Sequence, residues 1–200
     1  MSGLLFIIAP EADNQAISRV LLHLRDWEYD SGDRFKLVNT KNAYDLDDDL
    51  ETSPPIPVGL ENSWAGAPLE DVEAYCLDLD RNDLKSANPH LYLVVDSQGL
   101  QDQTCILGER ACKWEEDPIT YADHYKKMRL PWEEAYLTWC NLDISNMNFE
   151  EFTEEADVDY EETITRRWWT YRSVNSGPDL SDEKRQERDR ELDRLRSEST

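Results

Sequence analysis

Histidine and cysteine are the side chains best suited to acid–base, nucleophilic and metal chemistry near neutral pH. This chain has few of them: His23, His90 and His124, with Cys76, Cys105, Cys112 and Cys140. Successive cysteines are separated by 28, 6 and 27 residues, so no C-x2-C pair opens a tetrahedral zinc site. They read as free thiols in a reducing compartment rather than as a disulfide framework, which 200 residues do not need. A nucleophilic pair drawn from His90 or His124 with Cys105 or Cys112 has no local support, because folding rather than adjacency assembles such pairs. Asp78-Leu79-Asp80-Arg81-Asn82-Asp83 looks superficially like a calcium loop, but that loop needs Gly at 83 and Glu at 89, where the chain has Asp83 and Pro89. The cluster from Asp45 to Glu51 fails in the same way, with Leu50 and Ile56 at those places. No nucleophile elbow, phosphate-binding glycine loop, dinucleotide fingerprint or H-E-x-x-H motif occurs, and there are only seven glycines. The sequence therefore assigns no catalytic residue, no metal ligand and no cofactor, and it leans away from an enzyme.

A second kind of chemistry is recognition. Arg166-Arg167-Trp168-Trp169-Thr170-Tyr171-Arg172 is an aromatic and basic island in an acidic chain. Arg and Trp are the residue types enriched at binding hot spots, since they bury a large area and keep a polar handle. Arg166, Arg167, Trp168, Trp169 and Arg172 are accordingly candidate interaction residues. The same stretch also reads as an edge strand, in which adjacent tryptophans point to opposite faces, one inward and one outward. Forty-four acidic against 21 basic residues give a formal charge of −23. Such a surface lacks the basic footprint that displaces counterions from nucleic acid, and it is repelled by anionic membranes. The expected partner is a protein with a basic surface, met by a non-enzymatic acidic interaction module through fast, salt-sensitive association. An inhibitor or immunity-type protein is a special case of that reading. A small metal-dependent hydrolase using Asp, Glu and His90 or His124 is the alternative, as is a subunit of a larger assembly.

The elements that would position these residues follow from periodicity. Leu4 to Ala9 is a continuous apolar run ended by Pro10, suited to a strand buried on both faces. It is too short for a signal peptide or a membrane span, and the protein is expected to be soluble and cytoplasmic. Asp13 caps a predicted helix reaching about Asp26, with Ile17, Val20, Leu21 and Leu24 on one face. His23 lies beside that stripe and reads as a surface or satisfied histidine. Residues 35–38 form a short strand. Between 39 and 68, crowded acids and then Pro54, Pro55 and Pro57 predict a flexible surface loop. Leu69, Val72, Tyr75 and Cys76 mark a second helix, 91–95 the clearest strand, and 104–107 its neighbour. Residues 121–130 make a further strand, and Pro131 opens a helix at Trp132. Asn148 with Glu151 forms a capping-box pair. In the segment around it, Met147, Phe149 and Phe152 bury together while Asn141 and Asn146 hold the preceding turn, which makes a structural lock; a corner of Asn146 and Asn148 amides for a ligand is its functional alternative. The alternation predicts one acidic α/β or α+β domain over residues 1–175, a small mixed sheet flanked by helices. Residues 176–200 form a charged helical or disordered tail; from 179 on it carries eight acids and six bases, with only Leu180, Leu192 and Leu195 apolar.

From His90 onward the chain resembles a family of small, acidic, functionally uncharacterised proteins found mainly in bacteria, with fungal members. The resemblance rests on Leu91-Tyr92-Leu93-Val94-Val95-Asp96, on Thr104-Cys105-Ile106-Leu107, and above all on Asn141-Leu142-Asp143-Ile144-Ser145-Asn146-Met147-Asn148-Phe149-Glu150-Glu151-Phe152. The last segment fits the pattern N-L-x-[IL]-x-N-M-[DN]-F-x-x-F. The likeness covers residues 85–156 and departs at the N-terminus, in the proline-rich stretch and after 157. It implies a small cytosolic α/β domain and supplies no catalytic residues.

Overall fold

The computed structural model describes residues 2–29, 32–42, 51–81, 88–113, 119–155, 159–174 and 180–197. Along the chain lie β1 (Gly3–Ile7), α1 (Asn14–Leu24), β2 (Phe35–Leu37), α2 (Leu69–Arg81), β3 (Leu91–Val95), α3 (Ser97–Asp102), β4 (Thr104–Lys113) and β5 (Thr120–Pro131). They are followed by α4 (Trp132–Asp143), a 3-10 turn at Phe149–Phe152, α5 (Tyr160–Thr165), β6 (Trp168–Trp169) and α6 (Asp182–Ser197). The strands make one mixed sheet in the order β2-β1-β3-β4-β5-β6. β1 runs parallel to β2 and β3, β4 is antiparallel to β3 and β5, and β6 is parallel to β5. The protein is thus an α/β domain with helices on both faces of the sheet and a C-terminal helix.

Period-2 alternation sorts the strand side chains into two cores. Leu5, Ile7, Leu93, Val95, Leu107 and Met128 face α1, α4 and the 3-10 turn. Leu4, Phe6, Tyr92, Val94, Ile106 and Tyr125 face α2 and Trp64. A strand buried on both sides must be apolar throughout, which explains the unbroken runs in β1 and β3. Local chemistry sets the helix ends as the spacing predicts. Asp13 accepts from the Ala16 amide at 2.7 Å to cap α1, and Pro131 stands at the N-cap of α4. The Asn148–Glu151 capping box is present. Asp96 caps α3, a short helix between β3 and β4. β4 runs on to Lys113, well past Leu107. Its outer half carries Glu109 and Arg110, charges that read as surface but are paired inside the fold. Gly108 is needed there, because a Cβ would stand 2.2 Å from the Tyr92 ring.

Four expectations change. The flexible loop predicted over 39–68 is a packed segment from 51 to 67; residues 43–50 lie outside the described part. Thr52 bonds Phe35 O and Leu37 N at 2.9 Å each, and Ile56 N donates to Ser18 Oγ at 2.9 Å. Asn62 Nδ2 donates to Ile7 O at 2.7 Å, Gly66 N donates to Ile8 O at 2.8 Å, and Trp64 is buried edge-on against Phe6 and Tyr75. These bonds replace the regular ladder that prolines forbid. The stretch from Asp78 to Arg81, whose crowded acids read as a solvated turn once a calcium loop is excluded, is the last turn of α2, with Asp80 paired to Arg110. His23 is not satisfied, since its Nδ1 is buried with no hydrogen-bond partner. The charged tail is a helix laid on α1, not a free one, with Leu192 buried against Leu22 and Trp27.

Trp64 tests the packing of the proline-rich stretch. Trp64→Ala is expected to lower unfolding stability by about 3–5 kcal/mol in urea titrations, as truncation of a buried tryptophan does. A loss under ~0.5 kcal/mol, the size of a surface change, would return 51–67 to a solvated excursion.

Candidate functional site

In open α/β sheets a ligand crevice forms at the carboxyl ends of the strands, where the strand order reverses. Here the reversal lies between β1 and β3, and the chain fills that place itself, through the bonds of Asn62 and Gly66 to Ile7 and Ile8. Beside it, Arg129 holds Asp96 through two bonds of 2.6 and 3.0 Å, and Ser97 donates to Glu11 at 2.8 Å. The open cleft is at the opposite end of the sheet. It has a volume of about 350 Å³ and is walled by His90 before β3, Glu109, Arg110 and Cys112 on β4, Tyr121 and Lys126 on β5, Asp143 at the end of α4, and Asn148 to Glu150 beyond it.

The inner wall is ionic. Glu109 and Lys126 are register partners across β4 and β5, and Lys126 Nζ lies 2.9 Å from both Glu109 and Glu150. The lysine keeps only 5% of its side-chain surface, so an unpaired ammonium would be untenable there. Burial works against its charged form, and the two carboxylates outweigh it, leaving its pKa above the ordinary lysine value. Burial likewise pushes the Glu109 carboxyl up, and Lys126 only partly restores it. The second carboxylate of this wall, Glu150, sits in the 3-10 turn whose Phe149 ring lies 4.9 Å from the Lys126 ammonium. The outer wall is held differently. Arg110 Nη1 pairs with Asp80 at 2.5 Å, its Nε donates to Ala122 O at 2.8 Å, and its guanidinium lies over Tyr121. Tyr121 stacks on His90 with ring centres 4.2 Å apart, and His90 Nε2 is 3.3 Å from Asp80. Burial keeps the His90 pKa below the ordinary histidine value, despite Asp80.

Cys112 lines the cleft, but burial pushes its thiol up to about 12, so it holds its proton at neutral pH. Cys105 is fully buried and shifted the same way. His124 is engaged by the backbone, with Nε2 2.6 Å from Ile164 O. Among the described residues, no group of three or more His, Cys, Asp and Glu side chains is placed to hold a metal. What the cleft does offer is carboxylates in excess of cations, aromatic rings and the amide of Asn148.

The two segments singled out in the sequence meet behind this wall. Asn141 Nδ2 bonds Leu137 O, Asn146 Nδ2 bonds Asn141 Oδ1, and Ser145 turns the chain through a positive φ of 53°. Phe149 and Phe152 are both buried, and Met147 is a partly buried residue packed against the same core. Phe149 packs edge-on against Trp169, whose indole is buried in β6 while that of Trp168 is 48% exposed. Arg166 is tied to Glu155 and Glu162 at 3.0 Å and caps the Trp169 ring. Arg167 and Arg172 are exposed, although Arg172 reaches Glu151 O at 3.2 Å. The five-residue interaction cluster therefore divides: Arg166 and Trp169 build the fold, and Arg167, Trp168 and Arg172 face outward. Sequence reasoning missed Glu109, Arg110, Tyr121 and Lys126. The available signal was a charged residue interrupting an apolar strand in each of two pairing segments.

Lys126→Met is expected to cost about 3–5 kcal/mol, because it strands two carboxylates around an apolar side chain. Adding Glu109→Gln should recover part of that loss. A single variant as stable as the parent in urea titrations would show that the inner wall does not depend on the pair. No family model, curated protein or solved structure matches this chain.

Proposed function

We propose that the protein is an acidic binding module for a protein with a basic surface. The observation that carries this reading is where its own cations go. At least 12 of the 21 basic side chains are ion-paired to carboxylates of the same chain, among them Arg25, Arg110, Lys126, Lys127, Arg129 and Arg188. The formal charge of −23 is thus displayed by carboxylates with few cations left to interrupt it. A field of that sign raises the encounter rate with a positive partner and repels nucleic acid and anionic lipid. Trp168 supplies what diffuse charge lacks, a large exposed anchor flanked by Arg167 on the surface. Its ring already lies 5.5 Å from the Lys127 ammonium, so the indole takes a cation in the way a basic partner would present one.

The test uses the purified chain as bait and the captured partner as analyte. Association should slow steeply as salt is raised, and the partner should be basic. Trp168→Ala should leave the melting temperature nearly unchanged and weaken binding by about 2 kcal/mol, whereas Trp169→Ala should lose stability by a few kcal/mol. Salt-insensitive binding of an acidic partner would overturn the reading. So would a Trp168→Ala variant that binds as the parent does.

A further inference from the structure

Helix α6 is held by little. Its apolar contacts are Leu192 and Leu195 against Leu22 and Trp27, with Leu180 just before the helix, a cluster separate from the two cores. Arg188 completes the attachment: it is buried on the inner side of α6, and its Nη1 meets Glu133 of α4 at 2.7 Å. Beneath this contact, on α1, lie Arg19 and His23, one helical turn apart. The Arg19 guanidinium is 5.5 Å from the Trp132 ring centre and the His23 ring is 5.4 Å from it. Arg19 Nε and His23 Nδ1 are both buried without a hydrogen-bond partner. An orphaned, buried imidazole nitrogen within the electrostatic reach of two guanidinium groups is a place where a proton is unwelcome.

We propose that α6 is an acid-released latch: protonation of His23 sets a third positive charge beside Arg19 and Arg188 and frees the helix from α1 while the sheet stays folded. The charged groups facing His23 come from all three packed helices. Arg19 on α1 and Arg188 on α6 oppose its protonation, while Glu133 on α4 and Asp189 on α6 favour it. The two carboxylates each keep 58% of their side-chain surface and are screened by water, while Arg188 keeps 8%. Burial and then Arg188 therefore prevail, holding His23 down at about 4 when the helix is docked.

The direction of the effect follows from linkage. Releasing α6 removes Arg188 and part of the burial, so the His23 pKa rises towards its ordinary value of 6.5. The docked state is thus fully favoured above that pH, and it weakens progressively as pH falls from 6.5 towards 4, below which both states carry the proton. One proton coupled over that interval shifts the opening equilibrium on the order of tenfold between pH 7 and pH 5. Opening uncovers Leu22 on α1 and Trp27 just after it, an apolar patch that neutral pH keeps closed. This device is independent of the proposed binding role.

Hydrogen–deuterium exchange on the full chain at pH 7 and pH 5, corrected for the intrinsic rate at each pH, tests it. The amides of α6 are expected to lose protection on the order of tenfold at pH 5 while those of β1 and β3 do not change. In His23→Leu the pH dependence of α6 should vanish; His23→Gln, which keeps a polar side chain, serves the same purpose should the first variant fold poorly. Equal α6 protection at both pH values in the parent would overturn the proposal. The same loss in the variants, or a loss shared by β1 and β3, would overturn it too. A proton NMR titration placing His23 near its ordinary value with α6 docked would do so without any variant.

Discussion

Two adjacent lysines in the middle of β5, Lys126 and Lys127, are buried on opposite faces of the sheet, and each has to find negative charge there. Desolvating an ammonium costs several kcal/mol unless a carboxylate meets it. Lys126 is met by Glu109 from the neighbouring strand and by Glu150 from the 3-10 turn. Lys127 is met by Glu73 of α2, which also receives the Tyr92 hydroxyl. Because successive strand residues alternate in direction, this one dipeptide fastens the 3-10 turn to one face and α2 to the other. The cleft wall, the seat of Phe149 against Trp169 and the position of β6 beside Lys127 all follow from that placement.

What was legible in the sequence was whatever the chain decides locally. Asp13 and the apolar stripe after it are separated by a few residues, so the cap and face of α1 could be read directly. Pro131 before Trp132 and Asn148 before Glu151 are equally short-range signals. The run from Leu91 to Val95 has no alternative but a strand buried on both sides. The stretch 51–67 was not legible because its partners are distant. Ile56 bonds Ser18 across 38 residues and Asn62 bonds Ile7 across 55, and prolines that rule out a helix or ladder say nothing about such bonds. The docking of α6 was hidden for a related reason. Its seam needs only three leucines and the buried stem of Arg188, too few to show a period.

The cleft was harder still, since no two of its walls are contiguous. His90 was identifiable as a residue at a strand end, but it stands at the amino end of β3, whereas the usual carboxyl-end crevice is filled by the chain's own Asn62–Gly66 bonds. Glu109 and Lys126 look like solvated charges until the β4–β5 register sets them opposite one another. The tryptophan pair shows the converse case. Strand alternation alone requires one indole inside and one outside, and the sequence could not say which. The answer came from Phe149, a residue of the other conspicuous motif, which offers an edge to Trp169 and leaves Trp168 in solvent.

Strong acidity would ordinarily oppose compaction, since like charges repel across a folded surface. The distribution of cations shows how this chain accommodates it. Arg25 meets Asp33 just after α1, Arg129 meets Asp96 beside α3, Arg110 meets Asp80 between β4 and α2, and Arg188 meets Glu133 between α6 and α4. Each pair stands where two elements join, so the scarce positive charges act as rivets and are withdrawn from the surface. The same economy makes these joints sensitive to any added positive charge. At the Arg110 joint a second carboxylate is near, that of Asp123. At the α6 joint Asp189 stands 3.4 Å from Arg188, and beside it on α1 lies a histidine with a buried, unpartnered nitrogen, whose protonation adds to the positive side of the contact instead of relieving it.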